Sequence, residues 1–243
     1  LGSEIAAGLR RLGVAVTLVG RSQRLHFGRT GALLSSPLTR LHRENGVDLR
    51  LGDEVVELGG SGRVATARLA GGAVIDTDLV VAAIGSVPNT GWLTSSGLDL
   101  SDGVVCDSTG HAAPNVFAAG DVAAWADPGT GVPVRVEHQL HAAEQAQIVA
   151  RTIATGAAGT TQQPIPFFWS ELFGTTIQVF GHSAGDSLDT VTRGESGRFV
   201  AAVQRDGVVT GIVGWNMPRD FRAARVLLGH STEALHRSRQ LVP

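Results

Sequence analysis

A glycine at the mouth of a helix, followed by an apolar strand, constrains this chain more than any other feature of its sequence. Gly2-Ser3-Glu4-Ile5-Ala6-Ala7 opens a helical pattern in which Ile5, Leu9 and Leu12 are spaced to share one face. Gly13 stops it. Val14-Ala15-Val16-Thr17-Leu18-Val19 is then an apolar, β-branched run of the kind that parallel sheets bury. Helix, stop and strand make the αβ half of a βαβ unit. The missing strand and glycine turn are expected upstream of Leu1, with the chain cut inside a nucleotide-binding motif whose third glycine is Gly2.

The rest of the pattern is mixed. Leu33 to Glu44 reads as a second helix and Val47 to Leu51 as a short strand. Residues 54–58, 63–69 and 73–75 alternate around Gly59-Gly60 and Gly71-Gly72, which predicts a small antiparallel flap with tight glycine turns. Leu79 to Gly85 is expected as an apolar strand returning to the central sheet. Asn115 to Asp121 reads as a short buried strand ending in Gly-Asp, and His141 to Ala154 as a helix, so that strand, corner and helix frame a cofactor edge. Residues 156–163 are the best linker. Beyond them, Thr176 to Phe180, Ser187 to Arg193, Arg198 to Arg205 and Val208 to Val213 are evenly spaced strand runs, with Asp206-Gly207 as a hairpin turn. The expected fold class is therefore α/β with a closing α+β module.

Composition removes whole classes of function. Twenty basic against 22 acidic residues give a formal charge of −2, which lacks the excess expected of a nucleic-acid binder. Every basic residue is arginine and no tyrosine occurs, so this chain offers no Schiff-base lysine, Walker-type lysine or Tyr/Lys couple. Cys106 is the single cysteine, which excludes an internal disulfide and a Cys-rich zinc site and fits a reducing cytoplasm. The eight histidines show no ligand pair flanked by an acid, so no metal is expected. No apolar run reaches membrane-spanning length, and the N-terminus has no export pattern.

Four ordered segments carry a resemblance over nearly the whole chain: Gly2 to Ala6; Ala83-Ile84-Gly85 with Pro88-Asn89-Thr90; Thr109 to Asp121; and Pro166-Phe167-Phe168-Trp169-Ser170. The chain resembles FAD-dependent NAD(P)H:ferredoxin reductases of the rubredoxin and putidaredoxin type, within the pyridine nucleotide-disulfide oxidoreductases, without their N-terminal FAD-binding segment. The resemblance implies a Rossmann-like NAD(P)-binding domain over residues 1–100, the C-terminal part of an FAD-binding domain over 101–159, and a C-terminal interface domain over 160–243. It implies FAD and NADH or NADPH as cofactors, and a ferredoxin-type [2Fe-2S] protein as partner. The isolated chain is expected to be inactive and to hold no flavin.

Gly2 and Ser3 are expected to face a pyrophosphate, because a helix start offers free N–H groups and positive dipole. Glu4 matches the family's acidic residue near the nicotinamide, and is equally a helix-favouring first-turn glutamate. Gly20 stands where most relatives carry an acid. Arg21 and Arg24 then either accommodate the 2′-phosphate of NADPH or remain solvated loop residues. The resemblance also makes Gly85 a cofactor-binding residue and assigns Gly120 and Asp121 to the flavin; Asp121 would take a ribityl hydroxyl, its alternative role being a cap for the next turn. Val136-Glu137-His138-Gln139 resembles the stretch beneath the isoalloxazine, with Gln139 where many relatives place an aromatic residue. Trp169 is expected near the electron path, while Phe167 and Phe168 suit a core. Arg219, Arg222 and Arg225 form a stripe that is either solvated or meets an acidic partner. No protein nucleophile is required, and no catalytic side chain is assigned. A thiol-disulfide or peroxide reductase and a non-enzymatic docking flavoprotein are the alternative readings.

Overall fold

A computed structural model describes residues 1–26, 33–127, 131–156, 165–182 and 185–231. The chain forms two compact units, Leu1–Ile84 with Trp169–Pro243, and Gly85–Phe168.

In the first unit, α1 (Gly2–Arg11) carries Glu4 in its first turn and Arg10 and Arg11 in its last, matching the helix dipole. Its buried residues are Ala6 and Ala7 rather than the expected stripe, and Leu12, just past the helix end, is exposed. The small side is the one that packs closely: a Cβ on Gly2 would lie 3.3 Å from the Ala83 Cβ. Strand β1 (Thr17–Gly20) pairs in parallel with β2 (Asp48–Leu51), in register Thr17 to Asp48. The ladder starts at Thr17 rather than Val14, and β1 is only half-buried in its two-stranded sheet. Between them, α2 (Ser35–Glu44) buries Leu38 and His42. The Arg10 guanidinium donates to the carbonyls of Val14 at 2.7 Å and Asn45 at 3.1 Å, tying the ends of both helices together.

The flap forms as expected, with β3 (Val55–Gly59), β4 (Thr66–Leu69) and β5 (Val74–Asp76) in spatial order β3-β4-β5. Gly60 has φ +147°, and a Cβ there would strike the Arg63 carbonyl oxygen at 2.0 Å, so only glycine makes this turn. The expected strand from Leu79 to Gly85 does not form. That segment belongs to no ladder, and Ile84 is 90% exposed. Apolar, β-branched composition favours a strand only where a neighbour completes the hydrogen bonds, and the described residues supply none.

The C-terminal sheet has the order β11-β12-β15-β14-β13. Its strands are β11 (Phe167–Leu172), β12 (Thr175–Gly181), β13 (Ser187–Arg193), β14 (Phe199–Arg205) and β15 (Val208–Trp215). Asp206 (φ 51°) and Gly207 (φ 73°) both take the left-handed region, as a two-residue primed turn demands. Burial in β14 and β15 runs without alternation through residues 200–204 and 211–215, so both faces there are covered. One cover is α4 (Pro218–Ala224): Phe221 is buried, and a Cβ on Gly214 would come within 2.8 Å of its Cβ. Arg225 leaves the expected solvated stripe and lies over the Phe180 ring, 3.7 Å from its centroid.

The second unit contains β6 (Val104–Cys106), β7 (His111–Ala113), β8 (Val116–Phe117), β9 (Ala123–Ala126), β10 (Pro133–Arg135) and α3 (Gln139–Thr155). Its sheet has the order β10-β9-β6, with β6 and β9 parallel; β7 and β8 form a separate hairpin. Val104, Cys106, Ala123 and Trp125 form the core, with Ile148 and Val149 of α3 packed against it. Two corrections fall here. The expected buried strand from Asn115 to Asp121 shrinks to the two residues of β8, since left-handed backbone at Asn115 (φ 62°) precludes an extended start and at Gly120 (φ 80°) an extended end. The element after Gly120-Asp121 is β9, not a helix, so β9 and β10 separate that corner from the start of α3. At the far end of α3, Gly156 caps with φ 64°, and most of the expected linker (157–163) lies outside the described residues. Among the described residues no helix is long and apolar enough to cross a membrane.

His42 couples α2 to the C-terminal module. Its Nδ1–H donates to the Leu38 carbonyl at 2.8 Å, its Nε2 has no partner among the described residues, and its ring meets Phe173 edge-on at 5.4 Å. Burial pushes its pKa down, with the Leu38 bond opposing. Protonation thus favours the unfolded chain. Stability should hold above the ordinary histidine pKa of about 6.5 and fall as the pH drops through and below it. Melting temperatures from pH 8 to 5 check this, and His42→Leu should flatten part of the slope.

Candidate functional site

Residues expected to bind cofactors gather in two groups, one in each unit. The first lies at the start of α1. No side chain caps that helix, so its first amides are available to an anion. The Gly2 Cβ position lies 3.8 Å from Leu18 Cδ1, which sets the helix start beside the carboxyl end of β1. Ligands of such sheets bind beyond that end. The Glu4 carboxylate accepts a 2.6 Å hydrogen bond from the buried Ser170 hydroxyl, and Trp169, next along β11, is 50% exposed.

At the end of β1, the Gly20 carbonyl accepts from the amides of Gly52 at 2.8 Å and Asp53 at 3.2 Å. A Cβ on Gly20 would meet only Leu51 Cδ2, at an ordinary 3.6 Å, so a larger residue has room. Ser22 builds the next turn, hydrogen-bonded to His26 Nε2 at 2.8 Å and accepting from the Arg24 amide at 3.2 Å. Arg21 and Arg24 are exposed, and neither makes an ion pair among the described residues. Their position leaves them open to a phosphate without bringing them to any other predicted residue.

The second group surrounds Arg135. Its Nε donates to Asp102 Oδ1 at 3.1 Å and its Nη1 to the Asp121 carbonyl at 3.2 Å, and it also pairs with Glu137. Glu137 accepts in addition from the Ser86 hydroxyl, beside Gly85. The Ser86 bond and then Arg135 hold the Glu137 carboxyl below its usual range. Gly120 (φ 80°) donates its amide to Gln145 Oε1 at 2.9 Å, and its Cβ position is 3.6 Å from Ala142 Cβ. The corner is therefore pinned to α3 while the Asp121 side chain stays exposed.

His138 caps α3, its Nδ1 accepting from the Leu140 amide at 3.3 Å, so its proton sits on Nε2. Burial pushes its pKa down against the charge of Asp121. Its ring lies 6.2 Å from Phe168, and Gln139 begins the helix exposed. An exposed carboxylate, a neutral imidazole and a fixed Glu137 form a donor and acceptor set that fits hydroxyls and ring nitrogens of a dinucleotide cofactor. Ser86, Asp102, Arg135 and Gln145 were not legible as site residues. Only the i,i+2 spacing of Arg135 and Glu137 at a strand end signals any of them.

Cys106 is no nucleophile. It is buried, its sulfur lies 3.4 Å from the Val104 carbonyl, and burial pushes the thiol up to about 11. No group of histidines, cysteines and acids among the described residues is arranged to hold a metal.

Comparisons with known proteins agree with the resemblance. Residues 1–147 match the family described as pyridine nucleotide-disulphide oxidoreductase, and residues 167–239 match the reductase C-terminal domain. The chain is 34% identical over 227 residues to a ferredoxin--NAD(P)(+) reductase of Sphingomonas sp, covering 91% of this chain and 54% of that protein. It is 35% identical over 233 residues to rhodocoxin reductase of Rhodococcus erythropolis, covering 94% and 54%. The solved ferredoxin reductase for the CYP199A2 system from Rhodopseudomonas palustris superimposes with TM-score 0.82 at 27% identity, covering 94% of this chain and 58% of that one. The reductase in a covalent putidaredoxin reductase-putidaredoxin complex gives 0.85 at 26%, covering 95% and 57%. These neighbours share the Rossmann-type and C-terminal architecture expected from sequence. The chain spans about half the length of the curated relatives it matches.

Two substitutions separate the roles at the Gly120 corner. Gln145→Leu leaves the Gly120 amide unpaired and should lower stability by about 1–3 kcal/mol in urea unfolding. Asp121→Ala removes only an exposed side chain and should leave stability within about 0.5 kcal/mol.

Proposed function

We propose that this chain, which belongs to the pyridine nucleotide-disulphide oxidoreductase family, works in a flavoprotein that passes electrons from NAD(P)H through FAD to a ferredoxin-type [2Fe-2S] protein. One observation carries the reading: the family match over residues 1–147 is followed by the reductase C-terminal match over 167–239. The names of the ferredoxin--NAD(P)(+) reductase and rhodocoxin reductase support the partner class. In this reading residues 1–100 bind the nicotinamide coenzyme, 101–159 belong to the FAD domain, 160–243 form the partner-facing domain, and the protein works in the cytoplasm without membrane or nucleic acid.

FAD, when bound, converts a two-electron hydride delivery into release of single electrons. The chain's part is to bind and orient. Gly2 and Ser3 present amides to a pyrophosphate. Glu4, braced by Ser170, faces the nicotinamide end. Gly120 and Asp121 would hold the flavin, with Asp121 placed to accept from a ribityl hydroxyl, and Gly85 would contribute to cofactor binding. Glu137 keeps its charge because Ser86 and Arg135 bind it, and with His138 and Gln139 it would hold the ring side of the flavin; Trp169 is the exposed aromatic that the first unit would offer to a cofactor. Thiol chemistry at Cys106 is not part of this reading, since its buried thiol is pushed up to about 11.

The natural-length protein loaded with FAD should reduce cytochrome c from NAD(P)H only when a [2Fe-2S] ferredoxin is added. Turnover of a disulfide or peroxide at a higher rate, with no response to ferredoxin, would overturn the assignment.

Coenzyme choice is the sharper test. With Gly20 leaving room and Arg21 and Arg24 free of ion pairs among the described residues, NADPH should be used at least comparably to NADH. Gly20→Glu should then move kcat/KM towards NADH by about tenfold or more, through repulsion of the 2′-phosphate as well as a new ribose hydrogen bond. A wild type favouring NADH by more than about a hundredfold would refute the arginine role.

A further inference from the structure

A cleft of about 530 Å³ opens in the first unit between the start of α2 and the β13–β14 hairpin, with Arg40, Arg193 and Arg198 on its walls. None of the residues assigned to coenzyme or flavin lines it. We propose that this cleft binds a small amphipathic anion, a phosphate or carboxylate group carried on an apolar ring.

Charge is the first argument. No acidic side chain lines the cleft among the described residues. Among the described residues Arg193 makes no ion pair and the Arg198 side chain engages the Glu195 carbonyl, at 3.1 Å, while Arg40 is held loosely by Glu44 at 4.0 Å. A guanidinium does not lose its proton at ordinary pH, so the charge of these arginines is balanced only by solvent or a counter-anion. Their planar forks suit the two oxygens of a phosphate or carboxylate. The start of α2 adds the same preference, having neither an acidic residue in its first turn nor a side-chain cap, and Ser36 beside it on the wall.

Shape is the second. Leu33, Leu188 and Phe199 give apolar surface, and Phe199 is stacked on Trp215 with centroids 5.6 Å apart and planes at 12°, a rigid wall for a ring. The hairpin is cut to fit its arginines. A Cβ on Gly194 would come within 3.3 Å of the Arg198 Cβ and 3.2 Å of Met217 Sδ, and one on Gly197 within 3.6 Å of Arg40 Nη2. The volume lies in the range of small-molecule sites, and the concavity favours such a ligand over the flatter face of a protein.

Calorimetric titration of the FAD-loaded, natural-length protein with phenyl phosphate, benzoate, inorganic phosphate and benzyl alcohol tests the proposal. Phenyl phosphate or benzoate should bind one to one, at least about tenfold more tightly than inorganic phosphate, with benzyl alcohol not binding; which of the two is tighter identifies the head group. Arg193→Ala/Arg198→Ala should weaken binding by at least about tenfold at unchanged melting temperature. Arg219→Ala/Arg222→Ala, which removes the same charge from α4, should not. Equal loss in both variants, unaltered binding in the first, saturation only by an acidic peptide, or no saturation below about 10 mM would each overturn it. The titration contains neither ferredoxin nor coenzyme, so failure here is distinct from failure of the electron-transfer assignment.

Discussion

Arg135 keeps a full positive charge with its side chain only 13% exposed, and that is tolerable because its fork is occupied on several sides. Asp102, the Asp121 carbonyl and Glu137 each take one of its bonds. Removing any one of them would leave a desolvated charge short of a partner, which costs more than an exposed ion pair ever contributes. Glu137 is fixed as a consequence, Asp121 is held by its backbone with its side chain left open, and the Gly120 corner is closed from the other direction by Gln145. The first unit applies the same rule with a neutral donor. Ser170 is buried and spends its hydroxyl on Glu4, which keeps one oxygen of an otherwise exposed carboxylate in place.

Local features of this architecture were legible in the sequence because their causes are local. The start and stop of α1, the glycine turns of the flap and the Asp206-Gly207 hairpin each depend on residues a few positions apart. Gly2, Gly120 and Asp121 stood out for the same reason. What was not legible depends on distant partners. Leu79 to Gly85 has the composition of a strand, yet a strand is a relation to a neighbour that no window of seven residues contains. Asn115 to Asp121 misled similarly, because a left-handed Asn115 is invisible in an apolar run. Ser86 meets Glu137 across 51 positions and Arg135 meets Asp102 across 33, so nothing nearby marks either as part of a site.

The exclusive use of arginine gives these arrangements a common electrostatic character. Arginines do not titrate under any ordinary condition, so the positive charges beside Glu137 and in the α2 cleft are permanent. Groups that do change near neutrality are histidines, and the buried ones, His42 and His141, are pushed towards the neutral form, as is His138. At these three positions acidification adds charge only against the cost of burying it.

The bond between Glu4 and Ser170 joins residues 166 positions apart, whereas β14 and β15 meet across a two-residue turn. Closing a loop of that length carries an entropic cost that the hairpin never meets, and contacts of long sequence separation form late. During synthesis α1 is complete long before its partner has been translated. The nascent helix start waits with its glutamate unbraced until β11 emerges, and only then does the carboxylate gain its Ser170 bond. Vectorial synthesis thus makes the C-terminal sheet the step that finishes the first helix.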